Sequence, residues 1–128
     1  MIKPHYKLNE VQELIRKDNF DMYSTVYEGL FDLGFQRIDV KEYYLRHITI
    51  RDFDKQMWNK KYEGSKKSSP YLYCMIDVYK SLFKSKYIYT KFFIYYHSGR
   101  AHPNRPEELK KIQSLVIQSF KPDLSQWR

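Results

Sequence analysis

Tyr87, Tyr89 and Lys91 stand two residues apart in a segment whose apolar Ile88, Phe92 and Ile94 alternate with them. In an extended strand, alternate side chains share a face. The three would therefore present two phenol rings and an ammonium group together. Rings of this kind stack on nucleobases, and ammonium groups pair with phosphates, as on a surface that holds unpaired RNA. The plainer reading is that tyrosine is a good strand former whose ring sits half buried. That reading is the stronger for any single tyrosine; the cluster as a group speaks for a surface.

Other chemistries find little footing. The four glycines, at 29, 34, 64 and 99, form no phosphate-cradling loop. No paired-cysteine spacing marks a zinc site, and His97 and His102 lack a third ligand, so no metal or other cofactor is expected. Cys74 falls on the apolar side of an alternating segment, where an inert buried thiol is the ordinary outcome. Nothing suggests a Ser-His-Asp triad.

The 128 residues fit one domain, and 13 Tyr, 8 Phe and 2 Trp argue against disorder. A single cysteine suits a reducing compartment. No apolar run approaches the roughly 20 residues that cross a bilayer. Met1 to His5 shows no signal-peptide character, so a cytoplasmic protein without a membrane partner is expected. Net charge is +8 and uneven. Residues 1–50 carry 7 basic and 8 acidic side chains, whereas residues 51–128 carry 16 basic and 7 acidic. This asymmetry points one part of the protein toward a polyanion.

The elements that must position these groups follow from periodicity. Leu8, Val11, Leu14 and Ile15 predict a helix over about 8–17, with Asp18-Asn19 as its stop. Val26, Tyr27, Leu30 and Leu33 predict a second over about 24–33, capped by Ser24 or Thr25 and closed by Gly34. Asp39 would cap a third over about 40–47, with Val40, Tyr44 and Ile48 in line. Thr49-Ile50-Arg51-Asp52 reads as a capping box opening a fourth helix through about Trp58, with Ile50, Phe53 and Met57 on one face. Residues 59–70 read as a polar loop. The period then changes from 3.6 to 2, predicting strands over 71–80, 86–96 and 114–121. The first two are expected as antiparallel neighbours joined by 81–85, with a basic loop and one or two helical turns over 97–113. Helices first and strands later is the α+β pattern.

Six short motifs occur in a telling order: Tyr6-Lys7-Leu8, Leu33-Gly34-Phe35, Asp52-Phe53-Asp54-Lys55-Gln56-Met57, Asp77-Val78-Tyr79, Tyr89-Thr90-Lys91 and Ser119-Phe120-Lys121. Over about residues 5–121 this order resembles the MqsR family of messenger-RNA-cleaving toxins. The resemblance implies a RelE-like α+β fold, with N-terminal helices packed on a twisted antiparallel sheet built mainly by the C-terminal half. It implies a single toxin domain over 1–128 with an insertion at about 97–113. The implied activity is a metal-independent endoribonuclease of a type II toxin–antitoxin system, cutting mRNA at short GC-containing sites. The implied partners are mRNA and an antitoxin that binds zinc and carries a DNA-binding helix-turn-helix.

Carried over by motif, the resemblance places the catalytic groups at Lys55 (base or phosphate clamp), Tyr89 (proton transfer or orientation) and Lys121 (electrostatic stabilisation). Lys80 and Lys91 would contact phosphates, and Tyr79 and Tyr87 would stack on bases. Two departures stand out. Ile76 occupies the place of a functional family glutamine, and the longer 97–113 link brings Arg100, His102 and Arg105 toward the RNA or the antitoxin. Two other readings stay open: a basic module that binds RNA without cutting it, and a protein-interaction domain that a partner neutralises by strand addition.

Overall fold

The computed structural model describes residues 3–58, 75–96 and 113–126. The expected loop over 59–70, the start of the strand predicted from 71, Cys74, and the segment 97–112 with Arg100, His102 and Arg105 lie outside them.

Three α-helices are present among the described residues: α1 (Leu8–Arg16), α2 (Ser24–Leu33) and α3 (Arg37–Glu42). α1 buries Val11, Leu14 and Ile15, the stripe its spacing predicts. It ends where Asp18 turns left-handed, at φ 58°. α2 buries Val26, Leu30 and Leu33 but leaves Tyr27, expected in the same stripe, exposed, and Gly34 closes it at φ 73°, a conformation that costs glycine nothing. Neither Ser24 nor Thr25 caps α2; its N-cap is Tyr23. The Thr25 hydroxyl instead donates to the Gln118 carbonyl at 2.9 Å. α3 starts earlier than expected because Asp39 sits at its third position. From there the carboxylate accepts the Gln36 N–H at 2.7 Å, closing a capping box.

α3 runs on as a single wide turn over Tyr43–His47. Both adjacent tyrosines of that turn are fully buried. Their hydroxyls pair with the sheet, Tyr43 with Ser81 at 2.6 Å and Tyr44 with Thr90 at 2.5 Å.

The fourth expected helix does not form. The Thr49–Asp52 box closes a single 3-10 turn, Ile50–Asp52, and Phe53–Trp58 is a strand, β2. The expected stripe of Ile50, Phe53 and Met57 does not survive: Ile50 lies in the 3-10 turn, and a bulge between Phe53 and Lys55 sets Phe53 opposite Tyr79 on the helix-facing side but Met57 opposite Ile76 on the other face.

The sheet has five strands in the order β1-β5-β4-β3-β2, where β1 is Phe20–Met22, β3 Met75–Phe83, β4 Lys86–Tyr96 and β5 Gln113–Pro122. β2 to β5 are antiparallel, but β1 pairs in parallel with β5. The fold is therefore α+β with a mixed sheet, not the wholly antiparallel one expected. One face packs Tyr79, Ile88, Phe92, Ile94, Ile117 and Phe120 beneath the helices and the Tyr43–Tyr44 turn.

β1 covers only Leu115 to Ile117 of β5. The chain then turns, with the Tyr23 N–H on the Ile117 carbonyl at 3.0 Å, and α2 lies along the stretch of β5 that β1 leaves free. The approach is close: a Cβ on Gly29 would run into the Phe120 carbonyl oxygen and stand 2.9 Å from the Lys121 Cβ. A helix laid on an open strand in this way removes an edge that would otherwise recruit other chains.

Candidate nucleic-acid interface

The second face of the sheet changes character along the strands. Toward one end Ile76, Val78, Phe93 and Val116 are buried on it. Toward the β3–β4 turn it opens and becomes cationic. That turn is Lys84–Ser85, with φ 50° and 65°, the paired left-handed geometry of a two-residue hairpin. Lys84 is anchored to Asp39 at 2.6 Å and Glu42 at 3.0 Å. The turn sets the register, Lys80 opposite Tyr89, and β5 adds Lys121 opposite Tyr89.

Paired residues share a face, so Lys80, Tyr89 and Lys121 form one row across three strands. The Tyr89 ring lies between two ammonium groups, 5.9 Å from Lys80 Nζ and 5.3 Å from Lys121 Nζ. Asp54, in the β2 bulge, approaches Lys80 at 3.8 Å. Burial pushes the Tyr89 phenol above its ordinary value, and the Asp54 and Asp123 carboxylates add to this. At neutral pH Tyr89 is therefore a neutral phenol that donates its proton.

The row opens into a depression of about 370 Å³, walled also by Asp32, Leu124 and Ser125. A second depression, of about 220 Å³, lies between α2 and β5 and includes Glu28, Lys91 and Ser119. Asp32 and Lys121 line both, so the two adjoin.

The residues singled out from the sequence divide as follows. Tyr89, Lys121 and Lys80 meet in the row. Lys91 is half buried in the adjoining depression. Tyr87 is exposed on the same face, opposite exposed Leu82. Lys55 is exposed on this face too, but on β2, opposite Val78. From ordinary strand spacing its Cα lies roughly 12 Å from that of Tyr89, two strands away. It does not join the row, and it sits on a strand, not on the helix expected. Tyr79 must be corrected. It is fully buried on the helix-facing side, its ring stacked on Phe92 with centroids 5.6 Å apart, and it cannot meet a base. Ile76, where the family pattern has glutamine, is also buried.

Asp32, Asp54 and Asp123 escaped the sequence reading. Asp32 lies on the last turn of α2, a helix that the spacing predicts, but which strand that helix borders is a tertiary fact. Among the described residues no group of three or more His, Cys, Asp or Glu side chains could hold a metal ion, and no helix is long and apolar enough to cross a membrane.

No family model, curated protein or solved structure matches the chain. The likeness to the MqsR toxins thus rests on the six short motifs alone.

Proposed function

We propose that this protein is an RNA-cleaving toxin of the MqsR kind, acting on mRNA through the second face of its sheet and held in check by an antitoxin. The observation that carries the reading is the Lys80–Tyr89–Lys121 row: a neutral phenol between two cations, at the floor of an open depression. Such a row offers two of the things that cleavage beside a ribose needs, an acid and positive charge. The RNA 2′-oxygen attacks the adjacent phosphorus, the bond to the 5′-oxygen breaks, and the products carry a 2′,3′-cyclic phosphate and a 5′-hydroxyl. Lys80 and Lys121 stabilise the charge that accumulates on the phosphorane. Tyr89 gives its proton to the leaving oxygen. Lys55, Lys91 and exposed Tyr87 extend the same face and would hold neighbouring phosphates and a base.

A second reading, RNA binding without cleavage, is favoured by one observation. Buried Ile76 supplies no polar group where the family pattern has glutamine. Incubation of the purified protein with end-labelled mRNA in EDTA separates the two readings. Fragments ending in 2′,3′-cyclic phosphate support the enzyme, and a mobility shift with intact RNA supports the binder. No shift and no cleavage excludes both.

A further inference from the structure

The Tyr89 depression holds a proton donor and positive charge, yet the residues assigned above leave it without a proton acceptor. Lys55, on β2, does not line it and stands two strands from Tyr89. Tyr89 is kept protonated by burial and by its carboxylate neighbours. Asp123 is buried, and its Oδ1 accepts both the Ser125 N–H at 3.2 Å and the Ser125 hydroxyl at 2.6 Å. The remaining carboxylate on the depression is Asp32. It is exposed, and among the described residues no hydrogen bond or ion pair engages it.

The helix fixes its position. The close approach at Gly29 sets the α2 backbone against Lys121, and Asp32, three residues on, lies on that same helix face. The order across the site is therefore Lys80, Tyr89, Lys121, Asp32. In an in-line displacement the attacking and leaving oxygens stand on opposite sides of phosphorus, so acid and base must flank the phosphate. With the phosphate over Lys121, Tyr89 lies to one side and Asp32 to the other.

We propose that Asp32 is the general base of this site, an assignment that rests on the ribonuclease reading above. Its carboxylate takes the 2′-hydroxyl proton as the O2′–P bond forms. Tyr89 protonates the 5′-oxygen as the P–O5′ bond breaks. Water returns both groups to their starting states, and no metal or redox partner enters the balance.

The test compares the full-length protein with Asp32→Asn and Asp32→Glu on a short mRNA fragment, reading kcat and KM separately. A general base is worth on the order of 10² to 10⁴ in rate. Asp32→Asn is expected to lower kcat at least about 100-fold while KM stays level or falls, since a negative charge near the RNA has gone. Asp32→Glu, which keeps the carboxylate, should restore part of the rate. Wild-type cleavage with Asp32→Asn equally fast or faster overturns the assignment and leaves the ribonuclease reading standing; a faster, tighter variant would mean that Asp32 only repels RNA. A wild type that cuts no RNA overturns both.

Discussion

The phenol at Tyr89 owes its chemical character to its neighbours. A free tyrosine exchanges its proton near pH 10. Here burial and two carboxylates hold the proton to still higher pH. The group therefore gains no charge between pH 7 and 9, and cleavage should lose nothing through it over that range. Tyr89→Phe removes the proton but keeps the ring, and should cut kcat by about 10²-fold or more with KM little changed. Lys121→Ala should lower both kcat and affinity, because its ammonium faces ground state and transition state alike. Lys55→Ala, outside the row and two strands from Tyr89, should raise KM and spare kcat. Single-turnover rates over a range of RNA concentrations separate these patterns. Equal kcat losses in Lys55→Ala and Tyr89→Phe would place Lys55 in the chemistry after all. The shared face of Tyr89 and Lys91 was legible from alternation alone. The pairing of Tyr89 with Lys80 and Lys121 was not, because register depends on a two-residue turn. Lys84-Ser85 carries none of the Asn-Gly chemistry that usually announces such a turn.

Among the elements, α2 and the β3–β4 hairpin hold the row in place, and each has a point of sensitivity. Gly29→Ala drives a methyl group into the Phe120 carbonyl, a backbone atom that cannot swing aside. The helix must retreat from β5, at a cost of about 1–3 kcal/mol as in other overpacked contacts. Denaturant melting measures the loss, and an unchanged midpoint would mean that α2 does not lie so close. Asp39 joins α3 to the hairpin. The hydrogen bond from Lys84 holds its carboxyl below the ordinary value, with the Gln36 N–H contributing. A carboxyl lowered in the folded state adds stability above its unfolded value, near pH 4, and that stability disappears as pH falls through the folded value. Asp39→Ala should therefore cost about 1 kcal/mol at pH 7, the usual worth of a cap, and the gap to wild type should close toward pH 3. Thermal melts at the two pH values test this; a constant gap would show that the carboxylate charge is immaterial. The sequence revealed α2 well because its apolar stripe and its closing glycine agree. It misled at β2, where Phe53 and Met57 stand at a helical spacing but lie on opposite faces of a bulged strand. It was silent on β1, whose three residues are too short to show a period and are held by tertiary pairing.

Across the whole molecule, the positive charge of the C-terminal half takes on a defined location where four of its lysines, Lys55, Lys80, Lys91 and Lys121, share one sheet face. Their contact with single-stranded RNA should release counterions, giving a slope of log affinity on log salt of about −3 for four phosphates neutralised. Filter binding between 50 and 300 mM salt reads that slope, and a flat response would point to a protein partner on this face instead. Asp32 and Glu28 on the α2 wall oppose these lysines, so the groove is bipolar. Total charge could not disclose that arrangement, since it arises only when α2 borders β5. The account stands most directly on what happens to RNA at the Tyr89 row. The deciding measurement is the end chemistry of a labelled mRNA treated with wild-type protein and with Tyr89→Phe in the presence of EDTA. We expect 2′,3′-cyclic phosphate ends that form quickly with wild type and at least about 100-fold more slowly with the variant. Intact RNA in both reactions, or equal cleavage by both, would contradict a reaction centred on Tyr89.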